Sequence, residues 1–277
     1  MHSAVFAKTY PAPGIDAPFA SAARDGYAGV QYNLVCAGLK SLPEVLPAGL
    51  PESVAAGASS HGISIDALSG TYNMAHPDPA IRRSSRRGFA NVVAAAKTMG
   101  TPIVTLCTGS RNAADMWAHH PDNATPAAWA DLRDELDFAL DLAHSAGIKL
   151  AVEPEPGNVI SDAQVASRLL HEVSSPSLGI ILDAANLLPP EKLPEQDRVV
   201  REALDLLGGS LLIAHGKDVD ASGKVVPAGR GAVDLAAFVA GLRSVGFAGA
   251  LVGHGFEEAD AAEVAKLLNT LAGGKHG

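Results

Sequence analysis

Four successive apolar runs in this sequence each stop at a side chain able to hold a metal ion. Lys149-Leu-Ala-Val stops at Glu153, Ile180-Ile-Leu at Asp183, Leu211-Leu-Ile-Ala at His215 and Leu251-Val-Gly at His254. Two carboxylates and two imidazoles converging on one point suit an octahedral divalent ion with positions left open for substrate oxygens. Mn²⁺ is the expected ion, and Mg²⁺, Co²⁺ or Zn²⁺ would suit the same donors. Such an ion polarises a carbonyl, and a carboxylate beside it can take a proton from the neighbouring carbon. Glu153 is the candidate base. His254 and Lys217 are the candidates for handling a proton, or stabilising charge, on the opposite face; an ion pair between Lys217 and Asp218 is the structural alternative. The plain alternative for all four positions is that polar residues gather where strands and core end, yet loops usually offer Ser, Asn or Gly there.

Convergence needs a scaffold, and the chain supplies eight short apolar runs that alternate with segments of helical spacing. The strand candidates are 4–7, 29–33, 63–68, 103–107, 149–153, 179–183, 211–215 and 250–254. Eight units in 277 residues come to about 35 residues each, the size of a (β/α)8 TIM barrel, an α/β fold whose chemistry sits at the C-terminal ends of its strands. A doubly wound sheet is the rival, but Ala7-Lys8-Thr9-Tyr10-Pro11 carries no glycine fingerprint after the first strand. No linker or composition shift divides the chain, so residues 1–277 are read as one domain. The helix after the fourth strand is the clearest: Thr125 caps it, Pro126 opens it, Trp129, Leu132, Leu136, Ala139, Leu140 and Ala143 form its apolar stripe, and Gly147 ends it. Ser161 and Gln164 have capping-box spacing for the next helix. The last carries Val264, Leu267 and Leu268 on one side, before Gly273 and Gly274.

Composition narrows the function. Lys and Arg number 21 against 30 Asp and Glu, a net charge of −9 that repels nucleic acid and anionic membrane surfaces. No stretch approaches the roughly 20 apolar residues of a membrane helix, and the N-terminal stretch lacks the pattern of a secretory signal. The two cysteines, Cys36 and Cys107, are read as reduced thiols, Cys107 as a packing residue. A cytoplasmic enzyme with a small-molecule substrate, neither nucleic-acid-bound nor membrane-bound, is the expectation.

Several segments make the reading sharper. Val152-Glu153-Pro154-Glu155, Leu182-Asp183-Ala-Ala-Asn186 and Ala214-His215-Gly216-Lys217-Asp218, with Ser69-Gly70-Thr71-Tyr72-Asn73-Met74 and Cys107-Thr108-Gly109, resemble strand ends of the xylose isomerase-like superfamily of TIM barrels. That superfamily includes sugar isomerases and epimerases, inosose dehydratases and endonuclease IV-type enzymes, and the resemblance spans essentially the whole chain. It implies an ion held by Glu, Asp, His and Glu from the fifth to eighth strands, with two of those glutamates moving the proton. Glu153, Asp183 and His215 match the first three ligand positions. His254 stands where the fourth ligand, a glutamate, would be, and Asn186 where the epimerases carry a histidine.

Other candidates line up at the same end of the barrel. Asn73 and His76 are placed to hold sugar hydroxyls, with a turn at His76-Pro77-Asp78 as the alternative. Trp117 lies in a long loop, 108–124, where it can stack on a sugar ring or staple the loop over the barrel. In Gly229-Arg230-Gly231, Arg230 can fork onto a carboxylate or phosphate. Arg82, Arg83, Arg86 and Arg87 share a helix face that is read as solvated. Glu257 is a fallback ligand that more simply opens the last helix.

The expected activity is that of a divalent-metal-dependent isomerase or epimerase moving a proton beside the carbonyl of a ketose or keto-sugar derivative. A lyase that dehydrates a keto-polyol shares the first step, and His254 in place of a glutamate favours it, because an imidazole can assist a departing hydroxyl. An endonuclease IV-like enzyme and a non-catalytic sugar-binding barrel rank below these. A homodimer or homotetramer is the prior for a barrel of this size.

Overall fold

A computed structural model describes residues 1–11 and 14–273; Gly274, expected after the last helix, lies outside them. Eight parallel strands close into a barrel in the order β1-β10-β7-β6-β5-β4-β3-β2. They are β1 (His2–Phe6), β2 (Gly29–Tyr32), β3 (Ser64–Ser69), β4 (Ile103–Cys107), β5 (Lys149–Glu153), β6 (Leu178–Asp183), β7 (Leu211–Gly216) and β10 (Ala250–Gly253). All eight expected strands are present, with ends shifted by at most two residues. An antiparallel hairpin, β8 (Asp218–Val219) and β9 (Val225–Val226), follows β7 and has no counterpart among the eight expected strands.

Two apolar clusters hold the fold together. The larger fills the layer between barrel and outer helices, with Phe19, Phe89, Leu132, Leu136 and Leu268 among its buried members. The smaller lies inside the barrel and is built from Ala4, Ala67, Ala151, Ile181, Ile213, Ala250 and Val252. Side chains alternate across a strand, so the residue two further along points into the same interior, one layer nearer the C-terminal mouth. From Ala4, Ala67, Ala151, Ile181, Ile213 and Val252 that step arrives at Phe6, Ser69, Glu153, Asp183, His215 and His254. Strand periodicity alone therefore collects these six side chains at one end of the barrel.

After α1 (Ala17–Asp25) and α2 (Leu50–Ser60), the helices α3 (Pro79–Met99) and α4 (Pro126–Ala146) are each 21 residues long and begin at side-chain caps. Asp78 accepts from the Ala80 N–H at 2.7 Å, and Thr125 Oγ1 accepts from the Ala128 N–H at 3.2 Å. Gly147, at φ 72°, ends α4 in the left-handed conformation the sequence reading asked of it. Helix α5 (Ala163–Val173) departs from expectation: its cap is Asp162, whose Oδ1 accepts from the Val165 N–H at 2.9 Å, in place of Ser161. The arginine face also departs. Arg82 is buried, bonded to Asp131 at 2.7 Å and facing Glu135, and Arg86 donates to both oxygens of Glu135, so half of that run is an inter-helix tie between α3 and α4. Among the described residues no helix is long and apolar enough to cross a membrane.

Candidate active site

At the C-terminal mouth of the barrel, Glu153, Asp183 and His215 are buried and bring one ligand atom each to within 4.8 Å of one another. His215 Nδ1 donates to Glu153 Oε1 at 3.0 Å and lies 3.8 Å from Asp183 Oδ2. Its other ring nitrogen, Nε2, is 3.1 Å from Gln31 Oε1 on β2. Asn186, in the short helix α6 (Ala184–Leu187) that follows β6, donates to Glu153 Oε1 at 3.1 Å and accepts from Lys217 Nζ at 2.5 Å. Lys217 Nζ is also 3.1 Å from Asp183 Oδ2, so its ion pair is with Asp183 and not with the adjacent Asp218. Asp218 has a different task. Wholly buried, its carboxylate accepts from the backbone N–H groups of Val219, Gly229, Gly231 and Val233 and so shapes the hairpin segment.

The electrostatics follow from burial opposed by pairing. Burial works against the charged form of every group here, but the surrounding partners win at four of them. The His215 and Lys217 charges hold Glu153 below the usual carboxylate range and Asp183 far below it. The same carboxylates raise His215 to about 10 and keep Lys217 fully charged. Two groups go the other way. Burial and then the His215 charge push His254 down to about 4, and burial and then the Glu153 charge push Glu155 up to about 7. The mouth therefore holds an ionised Glu153, a neutral imidazole at His254 and, in Glu155, a carboxyl group poised near neutrality.

A divalent ion fits the Glu153–Asp183–His215 cluster. Two hard carboxylate oxygens and an imidazole are the donor set for Mn²⁺, Co²⁺ or Zn²⁺, and buried Asp183 Oδ2 has the Lys217 ammonium beside it as an ion pair but no hydrogen bond of good geometry. His254, the expected fourth ligand, stands beside these three residues. Its ring stacks on His215 with centroids 5.4 Å apart and 14° between planes, and Phe6 stacks on it at the same centroid distance, so it lies outside the three-residue cluster. Its Nδ1 is buried without a hydrogen-bond partner.

A cavity of about 500 Å³ opens over this cluster, lined by Phe6, Lys8, Gln31, Cys107, Trp117, Glu155 and His254 among others. Trp117, half exposed, reaches it from the 108–124 loop. That loop is fastened to the turn after β5: Asn158 Nδ2 donates to the Met116 carbonyl at 3.0 Å and Asn123 Nδ2 to the Gly157 carbonyl at 2.8 Å. A Cβ at Gly157 would stand 1.8 Å from the Trp117 carbonyl oxygen, so the two loops approach as closely as they do only because residue 157 has no side chain. Gly157→Ala pushes the Trp117 backbone away and displaces its side chain from the mouth, read as a shift of tryptophan emission in a Trp129→Phe background while the circular dichroism spectrum is unchanged; an unaltered emission shows that the added Cβ is absorbed without moving Trp117.

Of the remaining expected site residues, the structure brings Asn186 and Lys217 into the cluster and leaves three outside the cavity. Asn73 exchanges hydrogen bonds with the Ser110 backbone and so secures the loop after β4. His76 accepts from the Asp78 N–H at 3.0 Å, which makes it part of the turn that starts α3. Arg230 forks onto Asp260 at 2.8 Å and Glu263 at 2.6 Å on the exposed side of the last helix, where opposite charges satisfy it. Gln31, Glu155 and Cys107 were not selected from sequence, although each left a signal. Gln31 is an amide within the otherwise apolar Val30-Gln31-Tyr32, and Glu155 is a second acid two residues beyond a strand's end.

The model of one protein family, described as xylose isomerase-like TIM barrel, matches residues 19–271. The chain belongs to the xylose isomerase-like TIM barrel family. Solved structures agree on the fold of the family. An IolI protein with a bound zinc atom superposes at TM-score 0.76 and 18% identity, covering 98% of both chains. A D-tagatose 3-epimerase-like protein does so at TM-score 0.78 and 12% identity, covering 98% of this chain and 97% of its own. The 3-keto-D-glucoside 4-epimerase YcjR from E. coli does so at TM-score 0.72 and 17% identity, covering 93% of this chain and 94% of its own. No curated protein matches the sequence.

Proposed function

We propose that this xylose isomerase-like barrel is a divalent-metal-dependent isomerase or epimerase that moves a proton beside the carbonyl of a ketose or keto-sugar. The observation that carries the reading is the buried Glu153–Asp183–His215 cluster, open to a cavity of monosaccharide scale. Neighbours whose names are those of epimerases support it. The zinc atom of the IolI structure supports a metal, with Mn²⁺ the ion we expect here. When bound by Glu153, Asp183 and His215, the ion would polarise the substrate carbonyl.

The chain's own residues supply the rest. Glu153, ionised and held by His215 and Asn186, takes the proton from the carbon beside the carbonyl. Lys217, fixed between Asp183 and Asn186, presents an ammonium group to the oxygen on which negative charge develops. Phe6 and Trp117 offer apolar faces to the sugar's C–H groups. His254, neutral and with a free ring nitrogen, acts on the other face: it takes a proton from solvent and passes it to the carbon, while Glu153 releases the proton it removed to solvent. The same nitrogen, once protonated from solvent, favours a second reading, a lyase in which His254 gives that proton to a departing hydroxyl of a keto-polyol so that it leaves as water.

Incubation of the Mn²⁺-reconstituted protein with ketoses and keto-polyols in D₂O tests both. Deuterium entering the carbon beside the carbonyl is the expected result, with an epimer or an aldose as product under the first reading and a dehydrated product under the second. Chelation of the metal abolishes exchange. Turnover without deuterium excludes Glu153 as a solvent-exchanging base, and exchange that survives chelation excludes the metal-dependent reading.

A further inference from the structure

We infer that the β1–β4 side of the cavity is a subsite for a carboxylate at the far end of the substrate, which makes that substrate a keto-sugar acid. The inference rests on the reading of Glu153–Asp183–His215 as the centre that receives the substrate carbonyl. The cavity lining is divided by charge. Its carboxylates, Glu153 and Glu155, both lie at the end of β5, whereas the other side carries the Lys8 ammonium, the Asn33 amide and the Ser69 and Thr105 hydroxyls. Lys8 follows β1 and Asn33 follows β2, strands that face β5 and β6 across the closed barrel. Lys217, beside the cluster, is neutralised by Asp183. Lys8, exposed at the rim, has no such partner: it makes no ion pair among the described residues, and its Nζ stands 5.6 Å from the centre of the Phe6 ring.

The neutral groups near Lys8 present donors that lack acceptors. Asn33 is only 5% exposed, and its Oδ1 accepts from the Val35 N–H at 3.0 Å, which leaves Nδ2 as the group offered to the cavity, with no acceptor among the described residues. Ser69 Oγ and Thr105 Oγ1 each accept from Gln31 Nε2 at 3.5 Å, and neither hydroxyl donates to another described residue. A buried donor without a partner costs free energy, so a ligand that fits this side brings acceptors, and the uncompensated ammonium selects an anionic one. A single ammonium with one amide matches the single charge of a carboxylate. A phosphate dianion calls for several cations, and Lys8 is the one cation lining this side among the described residues. Phe6 stacks on His254 with centroids 5.4 Å apart, so two short steps along the wall, His254 to Phe6 and Phe6 to Lys8, lead from the edge of the cluster to the ammonium. That span suits a six-carbon chain whose carbonyl sits over the cluster and whose end carbon is a carboxylate.

Isothermal titration calorimetry on the full-length, Mn²⁺-reconstituted protein tests the subsite with two sugars that differ only at the end carbon: 5-keto-D-gluconate, which carries a carboxylate there, and L-sorbose, which carries a hydroxymethyl group. Wild type is expected to bind the acid about tenfold or more tightly than the neutral sugar, the scale of one hydrogen bond to a charged group. Lys8→Met brings the two affinities to within about twofold of each other, and Lys8→Arg, which keeps the charge, keeps the preference. Asn33→Asp retains the acceptor for the Val35 N–H but sets a carboxylate where the donor was, and it too loses the preference, with circular dichroism reporting its folding. Binding is read without turnover, so failure of the proposed reaction, seen as absent deuterium exchange, leaves this measurement standing. Equal affinities in wild type, no binding of the acid, or a preference that survives Lys8→Met overturns the inference. A preference for D-fructose 6-phosphate over D-fructose that exceeds the one for 5-keto-D-gluconate over L-sorbose assigns this side to a phosphate and overturns the carboxylate.

Discussion

Replacing Glu153 by glutamine lowers kcat by about 10²- to 10⁴-fold, the range a positioned general base contributes, and stops deuterium incorporation from D₂O. The substitution is close to shape-neutral. Glu153 Oε1 accepts from Asn186 Nδ2 at 3.1 Å and from His215 Nδ1 at 3.0 Å, and the glutamine carbonyl oxygen can accept both in the same place. What disappears is the negative charge and the capacity to take a proton. The neighbouring cations, His215 and Lys217, then face Asp183, with Glu155 as a further counter-charge to Lys217. Circular dichroism separates a catalytic loss from a folding loss. Exchange within tenfold of wild type would remove Glu153 from the base role, because no distance in the cluster would have changed enough to compensate.

Replacing Glu135 by alanine costs about 3–5 kcal/mol of folding stability, the range for removing one partner of a buried charge cluster, read as the shift of the urea transition. Glu135 is 1% exposed and sits under α3, where its carboxylate accepts from the Tyr72 hydroxyl at 3.0 Å and from Arg86 at 3.0 and 3.1 Å, with Arg82 Nε 3.7 Å away. Arg86, a quarter exposed, can regain water when the carboxylate is gone, which places the cost toward the lower end of the range. Arg82 cannot: its side chain is 8% exposed and its Nε is buried without a hydrogen bond even in the intact cluster. Tyr72 stands three residues beyond the end of β3, so the Glu135 carboxylate also ties α4 to the loop that follows that strand. A shift under about 1 kcal/mol would show that the cluster breaks even against its desolvation cost. Glu135→Gln keeps the acceptor for Tyr72 and loses less.

The fold was legible because its signals are local. Eight apolar runs, the Thr125 cap and the Gly147 stop each depend on residues a few positions apart, and each is found where the spacing puts it. Ser161 failed as a cap for an equally local reason, since Asp162 sits one residue nearer and its carboxylate reaches the Val165 N–H. The arginine run failed for a non-local one. Nothing in residues 82–87 tells that Glu135 and Asp131, about fifty residues on, will stand beneath them on another helix.

The candidate site divides along the same line. By itself, the sequence determined that Glu153, Asp183, His215 and His254 share the barrel interior at one end, because side-chain alternation along a strand is a property of the strand alone. Only the tertiary structure decided which of them meet. The His254 ring is held between Phe6 and His215 by packing across the closed barrel, Arg230 is drawn outward by Asp260 and Glu263, and Gln31 is brought to His215 from the opposite part of the chain. Direction along a strand is written in neighbouring residues, whereas the last few ångströms between side chains are set by ring stacking, ion pairing and loop contacts between residues far apart in the chain.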